Sequence, residues 1–123
     1  MKNESIYLDF LQKKGRPLAE INPGSDEIAL TVADALEALE LLKDSQIAIL
    51  GGDILSEENG ELIYAIHLWG YDYHYLSWYC DRGENESEKD YIIRSYNTAK
   101  DSIINASKIA EQFNKKCFIV FVI

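Results

Sequence analysis

Thirteen consecutive residues, LWGYDYHYLSWYC at 68–80, hold two Trp, four Tyr, a His and a Cys. Side chains of these types do three kinds of chemistry: His and Cys ligate metal, a thiol attacks or is oxidised, and amphipathic rings anchor a protein partner. A zinc site would have to gather His67, His74, Cys80 and Cys117 from three separate segments. None of these residues form the closely spaced ligand pair that a zinc motif uses, so no metal is expected. Cys80 stands beside Asp81 and Arg82, but the chain has only two histidines and no base in view. An inert, half-buried thiol is the expectation there. The rings remain, as packing on a half-buried sheet face or as hot spots for a partner. Trp69 and Trp78 favour packing, and the tyrosines at 71–75 suit either role.

A second stretch of interest is ILGGD at 49–53. Two glycines in an apolar run predict a bulge or a close backbone approach, with Asp53 aimed sideways out of the ladder. Asp53 then either caps a local turn or touches a partner. The glycines are not a phosphate cradle, because no Lys and Ser/Thr follow them. The acidic run DRGENESEKD lacks the alternating ligands and central Gly of a calcium loop, and helix capping explains it better. Neither a catalytic constellation nor a cofactor site is expected.

Charge narrows the choice of partner. The chain carries a net charge of -9, and its distribution is uneven. Residues 17–81 hold thirteen carboxylates and a single cation, Lys43, a net of -12, while the remaining residues sum to +3. Such a block repels nucleic-acid phosphates and anionic membranes, and it speeds encounter with a basic protein. With 123 residues, one domain of 1–123 can bury its own core without disulfide or metal. No apolar run reaches the length of a membrane span and no secretion signal is evident, so a cytoplasmic protein with free thiols is expected.

The elements that must position these residues follow from periodicity. SIYLDFLQKK (5–14) reads as a short helix with Ile6 and Phe10 inward, joined by Tyr7 and Leu11 as further inward candidates, and stopped by Gly15 and Pro17. A loop follows, then a short extended piece at 28–30. Thr31 caps a second helix over about 32–43, with Asp34 returning the bond. That helix puts Ala35, Leu39 and Leu42 on one face and Asp34, Glu37 and Glu40 on the other, with Leu41 inside the acidic stripe. IAILGGDIL (47–55) and LIYAIHLW (62–69) read as a hairpin turning at Asn59-Gly60, and HYLSWYC (74–80) as a third strand. Ser87 caps a long helix, 88–113, whose seam runs Ile92, Tyr96, Ala99, Ile103, Ala106, Ala110, Phe113. CFIVFVI closes the chain as a strand apolar on both faces, which belongs inside a sheet. The fold class expected is α+β: a mainly antiparallel sheet of about four strands, the long helix across one face, and short N-terminal helices.

ILGGD (49–53), WYCD (78–81) before an acid-capped helix carrying YIIRS (91–95), the terminal FIVFVI, and the helix TVADALEALELL (31–42) occur in this order. In these motifs residues 25–123 resemble the Immunity protein 40 family of bacterial polymorphic toxin systems. The resemblance implies a cytoplasmic antidote that binds and blocks a cognate toxin domain; the chemistry of that toxin it leaves open. Asp34, Glu37, Glu40 and Asp53 would steer a basic partner, and Leu41, Tyr71, Tyr73 and Trp78 are candidate anchors. The alternative is a small enzyme or ligand-binding protein with a pocket between the long helix and the sheet, lined by Tyr79, Cys80 and Asp53.

Overall fold

A computed structural model describes residues 4–123. The elements run α1 (Ser5–Lys14), β1 (Arg16–Pro17), a 3-10 turn (Leu18–Glu20), β2 (Ile28–Thr31), α2 (Val32–Asp44), β3 (Gly51–Glu58), β4 (Glu61–Tyr64), α3 (Ala65–Leu68), a second 3-10 turn (Tyr71–Leu76), β5 (Trp78–Tyr79), α4 (Glu88–Gln112) and β6 (Phe118–Val122). The sheet is antiparallel throughout, ordered β1-β2-β6-β3-β4, with β5 pairing the start of β3. The expected α+β class holds, and the sheet has six strands rather than about four because Arg16–Pro17 and the extended piece at Ile28–Thr31 join it as β1 and β2.

Local chemistry sets the helix ends. The Thr31 hydroxyl accepts from the Asp34 amide and the Ser87 hydroxyl from the Asp90 amide, which satisfies one free N–H at each start. Both long helices finish on a residue in the left-handed region, Gln46 at φ 58° and Asn114 at φ 54°. The amides of Ile47 and Lys115 then reach back to the Leu42 and Ala110 carbonyls, the bonding of a Schellman cap.

Packing follows the apolar stripes. Ala99, Ile103, Ala106 and Ala110 of α4 are buried together with Ala35, Leu39 and Leu42 of α2. They lie against Leu30, Ile54, Ile119 and Phe121 on the inner face of the sheet. The small alanines let α4 approach closely, and β6 sits between β2 and β3 with four of its five residues buried. On α1 the inward residue is Tyr7, 2% exposed, whereas Ile6 is 53% exposed. Of the four inward candidates, Tyr7, Phe10 and Leu11 pack on the core and Ile6 does not. A second, smaller cluster on the outer face of the sheet holds Leu18, Ala29, Leu55, Leu62, Phe118 and Val120.

The aromatic stretch corrects the strand expectations most. The strand expected over 62–69 ends at Tyr64 and passes into α3, and the strand expected over 74–80 is a 3-10 turn as far as Leu76 and a strand only at Trp78 and Tyr79. The alternation of Leu62 and Tyr64 continues through Ile66 and Leu68 by coincidence of spacing. Gly70, at φ 115°, adopts a backbone conformation that favours glycine and turns the chain from α3 into the second 3-10 turn. Trp69 then packs on Phe113 at the end of α4, ring centroids 6.0 Å apart, and Tyr73 meets the same ring edge-on at 5.5 Å. Burial of these rings against the helix end outweighs the sequence's strand propensity.

Candidate functional site

The candidate residues fall into three places. Asp34, Glu37, Glu40 and Leu41 lie on α2, in the helical layer. Glu37 and Glu40 are exposed, and Asp34 and Leu41 are half-buried. Glu40 is already engaged: the Tyr96 hydroxyl donates to it, and Lys43 sits 3.3 Å away while lying over the Tyr96 ring. The Tyr96 hydrogen bond, helped by Lys43, holds the Glu40 carboxyl below its usual range and raises the Tyr96 phenol. This stripe therefore ties α2 to α4 as well as facing solvent.

Tyr71 and Tyr73 occupy the second 3-10 turn, next to the C-terminal end of α4. Tyr71 is 74% exposed and stacks on His74 at 4.8 Å, whereas Tyr73 is half-buried between Trp69 and Phe113. These residues cap the end of the long helix.

The third place is the corner where β5 crosses the start of β3. Here one of the two GGD expectations, close approach, holds, and the bulge with Asp53 turned out of the ladder does not. The ladder with β6 runs without interruption through Gly51↔Val122, Gly52↔Phe121 and Asp53↔Val120, so there is no bulge, and Asp53 keeps its place in the register. The glycines serve close approach instead. A Cβ on Gly51 would stand 2.4 Å from the Trp78 carbonyl oxygen, and one on Gly52 would stand 2.2 Å from the Trp78 ring. Trp78 is a correction too. At 7% exposed it lies under Gly52 and edge-on to Phe121, in the inner core, and presents little surface to a partner.

Alternation along the strands sends Trp78 inward and Tyr79 outward. Tyr79 is 88% exposed, on the outer face with Asp53 and Val122. With Leu50 and Asp81 these residues line a shallow depression of about 200 Å³. Asp53 shares this region with Glu27 and Tyr64. Burial, then the charges of Asp53 and Asp26, push the Glu27 carboxyl up; burial, then Asp53 and Glu27, push up the Tyr64 phenol. A concentration of negative potential is thus built into the outer face.

A hydrogen-bonded staple fixes the corner from behind. Arg94 of α4 donates from Nε and Nη2 to the two carboxylate oxygens of Glu86, each at 2.8 Å, and from Nη2 to the Asp81 carbonyl at 2.6 Å. The Gly83 amide donates to Glu86 at 2.9 Å, and the Tyr91 hydroxyl donates to the Cys80 carbonyl at 2.6 Å. Arg94, seconded by the Gly83 amide, takes the Glu86 carboxyl down to about 2. Arg94 Nη1 lies 3.2 Å from the buried Cys80 thiol, so Cys80 faces α4 while Tyr79 and Asp53 face the other way. The pocket expected between the long helix and the sheet, lined by Tyr79, Cys80 and Asp53, is consequently not formed: the sheet itself divides those three side chains. Burial pushes the Cys117 thiol up to about 12, and that group stays protonated at neutral pH.

Among the described residues no three His, Cys, Asp or Glu side chains gather to hold a metal ion, and no helix is long and apolar enough to cross a membrane. The candidates singled out by type did not bring Tyr79, Leu50, Asp81 and Val122 together beside Asp53, as the depression does. The signal available for Tyr79 was its position beside an inward Trp, which in a strand points it outward.

No curated protein and no solved structure matches the chain. Residues 17–123 match the family described as Immunity protein 40, a span that includes β2 to β6, α2, α4 and the corner where β5 crosses β3. The chain therefore belongs to the Immunity protein 40 family of bacterial toxin systems, whose members are antidotes with a cognate toxin partner rather than enzymes.

Proposed function

We propose that the chain, as one immunity domain, neutralises its cognate toxin domain in the cytoplasm by docking as a rigid body over the toxin's active site or substrate-binding surface. The observation that carries this reading is the family match across residues 17–123. Two physical features support it. The excess of carboxylates in residues 17–81 favours rapid encounter with a basic partner, through Asp34, Glu37 and Glu40 on α2 and Asp53 on the sheet. Preorganisation by the α4 seam and the Arg94 staple means that little conformational entropy is lost when a partner binds.

The experiment is co-expression and reconstitution with the toxin domain encoded beside this gene. The chain is expected to suppress killing, to form a complex whose association slows as salt is raised, and to abolish the toxin's activity in that complex. A complex that keeps full toxin activity would overturn occlusion. Failure to form any complex, or to protect cells, would overturn neutralisation of that toxin.

A further inference from the structure

One end of the outer sheet face is covered, and the other is open. Leu18, on the 3-10 turn, is fully buried over Leu55, Leu62, Phe118 and Val120. At the open end Leu50 is 42%, Val122 41% and Tyr79 88% exposed, in one contiguous depression. Gly51, paired with Val122 on β6 and Tyr79 on β5, lines the floor of that depression. Exposed apolar groups gathered beside fixed polar ones mark binding surfaces more often than isolated exposed residues do.

The charges at the two ends differ in the same sense. Glu57, at the covered end, is paired with Arg16 and Lys116. At the open end, among the described residues, no cation forms an ion pair with Asp53, Glu27 or Asp81. Asp53 lies two residues from Gly51 on the same strand, roughly 7 Å along it. That separation suits one long cationic side chain, its stem over apolar surface and its head group on a carboxylate.

Resting on the reading that the partner is a toxin domain, we infer that this corner is its docking surface. It takes a Lys or Arg from a basic segment of the toxin, whose head group pairs with Asp53 while its aliphatic stem lies between Tyr79 and Val122. Tyr79 supplies the large, low-entropy contact area that dominates interfaces, and the carboxylates of Glu27 and Asp81 supply the surrounding field. The staple from Arg94 to Glu86 and Asp81 holds the depression in shape before the partner arrives. The α2 stripe lies in the other layer of the molecule and contributes to the long-range field without touching the docked segment.

The test is calorimetric titration of the purified chain with the toxin domain encoded beside it. Wild type is measured first; no binding by wild type removes the neutralisation reading and this inference with it. Given wild-type binding, Tyr79→Ala and Asp53→Asn are each expected to weaken affinity by roughly thirty-fold or more, while Tyr71→Ala with Tyr75→Ala stays within about twofold. Melting temperatures near wild type confirm that the variants fold. A photo-crosslinking residue at position 79 supplies a readout that needs no loss of binding, and it should capture the toxin where one at position 71 does not. If position 71 crosslinks instead, or if Tyr79→Ala and Asp53→Asn both bind as wild type does, the toxin docks elsewhere and the inference falls.

Discussion

The two ends of the outer sheet face are built on the same strands yet finished differently. At one end the 3-10 turn at Leu18–Glu20 covers Leu55, Leu62 and Phe118, and Arg16 lies over the Phe118 ring while pairing with Glu57 and Glu20. At the other end Tyr79, Leu50 and Val122 stay in water beside Asp53. The first arrangement adds to stability by removing apolar area from solvent and compensating charge. The second leaves both unsatisfied, so its contribution to stability is small and its capacity for a partner is large.

Leu55→Ala should separate the two ends most strongly. Truncating a fully buried leucine opens a cavity under the Leu18 turn and is expected to cost about 2–5 kcal/mol, whereas Tyr79→Ala should change stability by no more than about 0.5 kcal/mol. Urea unfolding of both variants checks this. Equal losses would mean that the corner is part of the core and not an open surface.

An intermediate effect is expected at the junction of inner core and outer corner. Gly52→Ala would place a methyl group 2.2 Å from the Trp78 ring, and the ring must move. Overpacking of this kind costs roughly 1–3 kcal/mol. Because Trp78 moves Tyr79 with it, fluorescence of the variant should shift as well as its melting temperature. A variant as stable as wild type, with unchanged Trp emission, would show that β5 is not pressed against β3.

The smallest effects are electrostatic, and they have opposite signs at the two ends. Arg16, then Lys116, hold the Glu57 carboxyl below its unfolded value. Its contribution is therefore present above the unfolded pKa of roughly 4.3 and is lost as pH falls below that value through the folded one. Burial, then Asp53 and Asp26, raise the Glu27 carboxyl. Its ionised form is disfavoured in the folded state, so it opposes stability above its folded pKa, and that penalty disappears as pH falls through the folded pKa toward about 4.3. Glu57→Gln should lower the melting temperature at pH 7 and Glu27→Gln should raise it slightly, with both differences vanishing in acid. Shifts of the same sign at pH 7 would refute the contrast between a compensated and an uncompensated end.

Much of the scaffold was legible in the sequence. The boundaries of α1, α2 and α4 agree with the periodicity to within a residue, because a helix is fixed by contacts three and four positions apart and by caps such as Thr31 and Ser87. The Asn59-Gly60 turn was equally local: both residues adopt positive φ, 53° and 81°, as a two-residue hairpin requires. A strand apolar on both faces had to be interior, and β6 is. Where neighbours do not decide, the reading failed. Residues 65–76 have strand-like alternation but follow the end of α4, where Phe113 receives Trp69 and Tyr73. Gly51 and Gly52 signalled special geometry, but only the position of Trp78 shows that the demand is for room.

Asp53 and Glu57 make the division plain. They lie four residues apart on β3, on the same face of the sheet, each a carboxylate in an acidic stretch. The sequence determined only that both are carboxylates close together in the chain: the strand expected to end at residue 55 runs on through Glu58, and Asp53, expected to turn out of the ladder, stays in register, which is what puts the two on one face. Arg16 comes to Glu57 from the β1 edge and Lys116 from the segment before β6, both distant in the chain, while Asp53 has Glu27 and Tyr64 for neighbours. Which carboxylate is compensated and which has no ion pair among the described residues was decided by tertiary structure alone, since Coulomb energies depend on distances in space that chain separation does not set.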